Sequence, residues 1–278
     1  MARPVGLIPG IDLDDGIRIP QVGLGTWQIT GENATHAVKT AYELGYRHFD
    51  TAQMYGNEAD IGKALKDFPR EDIFLTSKLW MDKYDKKNAK QACYESLEKL
   101  GTGYLDLFLL HWPKEGTDYR ELFMVLKELQ EEGKIKSVGV SNFTVAHLEK
   151  LLPIANEVGL SIVLNQIEFH PYLYQKSLLE YCKNNDIAVT AYSPLAQGKI
   201  IGDAVLRNIA QNHDVKPLQV ALRWHIQHGL ITIPRSASQE HQADNLDIFG
   251  FELTSQEMEE IDNLDTWYRV IEPSFAEF

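Results

Sequence analysis

The sequence predicts an α/β protein, a single domain spanning residues 1–278 and folded as a (β/α)8 barrel. Three observations carry this. Eight short runs rich in β-branched, aliphatic or aromatic residues recur along the chain, longer amphipathic stretches alternate with them, and polar residues gather just beyond the runs. Such alternation argues for a parallel sheet with crossover helices, and about 250 residues is the usual size of a barrel built this way.

Before the first run, residues 8–21 read as a β-hairpin turning at Asp14-Asp15-Gly16, too short for a domain and suited to plugging one end of a barrel. The eight runs follow at 22–24, 47–49, 73–76, 105–110, 137–140, 162–165, 188–191 and 230–233. Between them Ala34, Val38, Ala41 and Leu44 share one helical face, as do Ile61, Leu65 and Phe68, and then Leu122, Leu126 and Leu129. Gly45, Gly101, Gly133 and Gly159 stand where helices should stop, because glycine accepts the left-handed backbone of a C-terminal cap. Asn33, Asn57 and Thr144 are candidate N-caps. A last helical stretch covers 255–264, and residues 267–278 mix aromatics with Pro273 in no regular period, as in a loop covering the active site. There is no low-complexity segment or linker, so one domain is expected.

A composition of 44% hydrophobic and 24% charged residues supplies material for a large core. The formal charge of −13 and a pI near 5.1 oppose non-specific binding to nucleic acid or anionic membrane, so an anionic ligand needs a local cationic site. No run approaches the ~20 apolar residues of a spanning helix, and the N-terminal stretch lacks the apolar segment of a signal peptide; the expected location is the cytoplasm. Cys93 and Cys182 stand alone without CxxC spacing, which points to free thiols rather than a disulfide or zinc site.

An open doubly wound sheet is the competing architecture. Its dinucleotide site requires GxGxxG after the first strand, whereas here Gly23 and Gly25 are followed by Gln28 and by a Trp27 that would crowd a pyrophosphate. In a barrel, the chemistry comes instead from residues just past the strands. Asp50 and Tyr55 follow the second run, Lys78 the third and His111 the fourth; then come Ser141-Asn142, Gln166, Tyr192-Ser193 and Arg235-Ser236. The first four form a coherent acid–base set. A tyrosine, with a reference pKa near ~10, is a weak acid at neutral pH unless a cation favours its phenolate, and Lys78 is that cation. Asp50 would keep the buried lysine charged, so the three titrate together. His111 is suited to orienting a substrate oxygen. Singly, each has a plain alternative: a tyrosine packs, an aspartate caps a helix. A metal-dependent barrel hydrolase using Asp50, His111 and His170 is a rival reading, weakened by the lack of HxH or HExxH; a cofactor-binding redox sensor or structural protein is another.

Eight motifs in order, GLGTW at 23–27, FDTAQMYGNE at 49–58, TSKLW at 76–80, LDLFLLHWP at 105–113, IKSVGVSNF at 135–143, NQIEFHP at 165–171, AYSPLAQG at 191–198 and IPRS at 233–236, make the chain resemble the aldo-keto reductases. The likeness is greatest to the short prokaryotic members of the diketogluconate and glyoxal reductase type. It implies a TIM barrel that uses reduced nicotinamide cofactor, without metal, to turn small aldehydes, dicarbonyls, keto acids or keto sugars into alcohols. The implied catalytic tetrad is Asp50, Tyr55, Lys78 and His111. The implied cofactor contacts are Gly25, Thr26 and Trp27; Ser141, Asn142 and Gln166 at the carboxamide; Tyr192 stacked on the nicotinamide; Ser193, Leu195, Gln197 and Gly198 at the pyrophosphate; and Arg235, Ser236, His241 and Asn245 at the adenosine end. Trp27, Met54, Trp80, Trp112 and Phe275 would wall the substrate pocket. Many NADPH-preferring members carry an arginine where this chain has His241, beside Glu240, so NADP(H) is the expected cofactor with more NAD(H) use than usual. The resemblance also implies a monomer.

Overall fold

The computed structural model describes residues 8–278. Its first two strands, β1 (Gly10–Asp12) and β2 (Arg18–Pro20), pair antiparallel as the expected hairpin. Then strands and helices alternate: β3 (Gly23–Gly25), α1 (Gly31–Leu44), β4 (His48–Asp50), α2 (Glu58–Leu65), β5 (Phe74–Leu79), α3 (Lys86–Leu100), β6 (Leu105–Leu110), α4 (Tyr119–Glu131), β7 (Ile135–Ser141), α5 (Val145–Glu157), β8 (Ile162–Glu168), α6 (Lys176–Asn184) and β9 (Ala188–Tyr192). Helices α7 (Ala204–His213) and α8 (Pro217–Gln227) precede β10 (Ile231–Thr232), and α9 (Gln239–Leu246) and α10 (Ser255–Asp262) complete the order.

Strands β3 to β10 form one parallel sheet in sequence order. The seam between its edges is closed by the bridges Val22↔Thr232 and Gly25↔Arg235 and by the Thr232 N–H donating to the Gln21 carbonyl at 2.8 Å. Gly25 is needed there: a Cβ would lie 2.6 Å from the Ile233 carbonyl oxygen. Inside the barrel Phe74, Leu107, Leu109, Val163, Leu164 and Ile231 pack with Leu13 and Ile19 of the hairpin, which plugs the N-terminal end as its sequence suggests. A larger apolar layer, including Leu24, Val38, Phe49, Phe108, Leu126 and Trp224, lies between the strands and the helices.

The expected strands all form, but several run further. β5 continues through Ser77 and Lys78 to Leu79, and β8 through Gln166 to Glu168, with every residue of both buried. Their polar members end the apolar run in the sequence yet stay in the ladder, because alternate residues of a barrel strand point inward to a site. β10 is shorter than expected, since Pro234 has no N–H to continue it. Two caps differ as well. Helix α1 starts at Gly31, so Asn33 lies within it, and the Gly31 N–H is met at 2.7 Å by Asp60 of α2. Asn57 precedes α2, but its side chain makes no capping bond and serves the active-site end instead. Thr144 forms the full capping box, with His147 returning the bond. Gly45, Gly101, Gly133 and Gly159 all have positive φ after their helices.

Candidate active site

The C-terminal ends of β4, β5 and β6 bring Asp50, Tyr55, Lys78 and His111 together. The Lys78 ammonium is wholly buried and has three acceptors: the Asp50 carboxylate, the Thr51 carbonyl at 3.0 Å and the Tyr55 hydroxyl oxygen at 3.3 Å. A lysine has three N–H groups, so its capacity is filled. The second Asp50 oxygen accepts from the Gln166 amide at 2.7 Å. Because Lys78 donates to the phenol oxygen, the Tyr55 O–H is left to point elsewhere. Burial alone would lower the lysine, but Asp50 and Tyr55 together hold it above its usual range. Burial raises the Tyr55 phenol, and Lys78 offsets this only in part; the expected lowering by the cation is present but is the smaller effect. Burial first and then Lys78 push His111 well below its usual value, so its ring is neutral, edge-on to Tyr55 and Trp80 at centroid distances of 5.8 and 5.2 Å.

Tyr55 sits in a 3-10 turn, Gln53–Tyr55, ended by Gly56 at φ 68°. Two amides fasten it. Asn57 donates to the Thr26 and Ile29 carbonyls, both at 2.8 Å, and accepts from the Thr51 hydroxyl at 2.9 Å. Gln53 donates to the Ala92 carbonyl and the Ser96 hydroxyl oxygen, both at 2.9 Å, while accepting from the Trp80 N–H at 3.1 Å.

Across the barrel mouth, Ser141, Asn142 and Gln166 are buried at the ends of β7 and β8. Asn142, at φ 67°, donates to the His111 carbonyl at 3.0 Å and accepts from the Tyr192 hydroxyl at 2.8 Å; Ser141 donates to the Gln166 carbonyl at 2.9 Å. Two amides, a hydroxyl and a tyrosine are therefore gathered on one side of the opening, side chains of the kind that can meet a nicotinamide carboxamide and ring. Ser193, Gln197 and Gly198 have positive φ in the loop after β9, with Leu195 half-buried among them. Arg235 is an exposed cation 3.3 Å from the Gln28 amide oxygen, open to a phosphate.

Not every expected contact faces this space. The Thr26 hydroxyl is buried and donates to the Asp50 carbonyl, which together with the packing of Gly25 gives both residues a structural reason. On α9, His241 is exposed whereas Asn245 is buried beside the Tyr46 phenol, and Ser236 braces the start of the helix through Ser238. Among the pocket residues, Phe275 stands edge-on to Trp80 and Trp112 at 5.8 and 5.4 Å, so the C-terminal segment does cover the site. Trp27 and Met54 are exposed at the rim, Met54 by 54%. Among the described residues no three His, Cys, Asp or Glu side chains gather as a metal site, and His170 is paired with Glu168. Nor is any described helix long and apolar enough to cross a membrane.

A family profile described as the aldo/keto reductase family matches residues 21–266. The chain belongs to that family. It is thus an oxidoreductase of the aldo/keto reductase type, a family using nicotinamide cofactor, and its barrel is the family fold. Glyoxal reductase of Bacillus subtilis is 42% identical over 271 residues, covering 96% of this chain and 96% of that protein. Methylglyoxal reductase DkgA of Escherichia coli is 42% identical over 265 residues, covering 94% of each. A solved aldo/keto reductase from Brucella melitensis, 44% identical, superimposes with a TM-score of 0.87 over 93% of this chain and all of that one.

In this aldo/keto reductase the residues that the sequence reading missed are the supports. Gln53 and Asn57 sit beside Tyr55 in the chain, but as ordinary turn and cap residues they carried no signal of their distant partners. Glu168 was visible only as one letter of NQIEFHP, and its role depends on residues about a hundred positions away.

Proposed function

We propose that this reductase converts small aldehydes and dicarbonyl compounds to alcohols, with Tyr55 as the general acid. The observation that carries the reading is the saturated bonding of Lys78. With its three N–H groups directed to Asp50, Thr51 and the phenol oxygen, the Tyr55 O–H is free to donate toward the mouth. A raised phenol pKa keeps that proton in place at neutral pH. As the proton leaves for the carbonyl oxygen, the adjacent ammonium stabilises the phenolate left behind. Neutral His111 orients the same oxygen by donating a hydrogen bond. Ser141, Asn142, Gln166 and Tyr192 would hold the nicotinamide, which when bound supplies the hydride.

Trp80, Trp112 and Phe275 make an apolar wall suited to short substrates, in keeping with the glyoxal and methylglyoxal reductases among the relatives. At the adenosine end Arg235 can clamp a phosphate, but His241 lacks the guanidinium fork, and Glu240, 3.6 Å from Lys216, adds a negative charge. NADP(H) is the preferred cofactor on this reading, with appreciable use of NAD(H). The reading takes 1–278 as one domain acting as a cytoplasmic monomer.

The test is the rate of NADPH oxidation with glyoxal, methylglyoxal and a panel of larger aldehydes, repeated with NADH and with a chelator. Turnover unaffected by the chelator is expected, with kcat/KM for NADPH exceeding that for NADH by less than about a thousandfold, ~4 kcal/mol. Tight NADPH binding without oxidation by any carbonyl compound would overturn the enzymatic reading in favour of a cofactor-binding sensor.

A further inference from the structure

We propose that Glu168 is the positioning residue that sets the back wall of the substrate pocket, by clamping the backbone of Val270 and Ile271 and so holding Phe275 against Trp80 and Trp112. The inference rests on the reductase reading for its substrate and on the following geometry for its mechanics. The Glu168 side chain is wholly buried at the end of β8, beyond Gln166. One carboxylate oxygen accepts the Val270 N–H at 2.7 Å and the Nε2–H of the equally buried His170 at 2.9 Å; the other accepts the Ile271 N–H at 3.0 Å. Two adjacent amides of an otherwise irregular segment are thus fixed by one charged group. Charge-assisted bonds of this kind are the stronger class, and losing an acceptor in a buried place leaves its donors unpaired.

The grip is transmitted over a short distance. Three residues separate Ile271 from Phe275, and the Ala276 N–H donating to the Pro273 carbonyl at 2.9 Å closes a turn that contains Phe275. Upstream, the Thr266 and Tyr268 N–H groups both donate to the Tyr172 carbonyl, at 3.2 and 3.0 Å. Downstream, Glu277 accepts from the Glu115 N–H and faces His147, each at 3.2 Å, but in exposed positions where such contacts contribute little. Glu168 is a wholly buried side chain that bonds the backbone just before Phe275. An Asp or Gln at this position would lose reach or an acceptor, so the requirement is for two carboxylate oxygens at glutamate length.

Amide hydrogen exchange of the full chain, with and without NADPH, tests the clamp directly. The Val270 and Ile271 amides should exchange at least roughly tenfold more slowly than those of exposed Glu272 and Ser274. Equal rates in the unaltered protein would overturn the proposal even if no variant could be made. Glu168→Gln should erase the difference, raise KM for methylglyoxal roughly tenfold, change kcat less than about threefold and leave the Kd for NADPH unchanged. Phe275→Ala should reproduce the KM effect without altering exchange at Val270 and Ile271. In the double variant Glu168→Gln should add little further to KM, and independent, multiplying effects would show that it does not act through Phe275. If exchange behaves as stated but no carbonyl compound is reduced, the clamp stands and the reductase reading fails.

Discussion

The two ends of the barrel are made from the same strands and hold opposite kinds of side chain. On β5, Phe74 joins the apolar plug formed with Leu13, Ile19 and Leu107, while Lys78, four residues further and on the same inward face, meets Asp50 and Tyr55. At the plugged end a side chain satisfies its neighbours by excluding water. At the open end buried charges are tolerable only because each bond is assigned: Lys78 to three acceptors, Asp50 to Lys78 and Gln166. One end therefore carries stability that is indifferent to chemistry, and the other carries chemistry whose parts are individually costly.

Substitutions at the two ends should separate these properties. Tyr55→Phe removes only the proton donor and should lower kcat by about a thousandfold, ~4 kcal/mol, with NADPH affinity and thermal stability little changed; near-normal turnover would remove Tyr55 from its role. Leu107→Ala, in the plug, should lower unfolding free energy by ~2–5 kcal/mol in denaturant titrations while kcat/KM at 25 °C stays within about threefold. A large catalytic loss with little change in stability would show that the two ends are coupled.

A smaller effect lies between the ends and outside them. Burial lowers His48, inside the barrel beside Thr76, to about 4, and His225, in the outer layer beside Phe169, to about 3. Both are neutral when folded but accept protons near 6.5 when unfolded. Their contribution is complete above about 6.5 and is lost as pH falls toward 4 and 3, by up to ~1.4 kcal/mol per unit for each. Buried Glu58, raised by its desolvation, acts with the opposite sign above its usual range. Unfolding free energy measured from pH 7 to 4 should therefore fall less steeply in His48→Gln than in the unaltered protein; parallel curves would exclude His48 as a contributor.

Much of this division was legible in the sequence because it is written in local pattern. The hairpin turn, the helix faces ending at Gly45, Gly101, Gly133 and Gly159, and the polar residues past each strand depend on neighbours a few positions apart. Asn33 falls inside α1, and Asn57 takes the N-cap position of α2 as expected but without a capping bond from its side chain, because a local rule cannot weigh a distant competitor. Asp60 reached the start of α1 first, and the Thr26 and Ile29 carbonyls claimed the Asn57 amide. The net direction of the Tyr55 shift was also hidden, since the sequence announces a neighbouring cation but not how deeply a phenol is buried.

By itself, then, the sequence determined the number and order of the barrel strands, and it singled out Asp50, Tyr55, Lys78 and His111, the four residues proposed as the catalytic set, because periodicity and motif order are properties of the chain. Tertiary structure decided which groups complete that site. Gln166 reaches Asp50 across 116 positions, Glu168 grips the tail across 102 and 103, and Gly25 owes its place to a seam that exists only when the first and last strands meet. Hydrogen bonds of this range are set by the closure of the barrel, which no short stretch of sequence can specify alone.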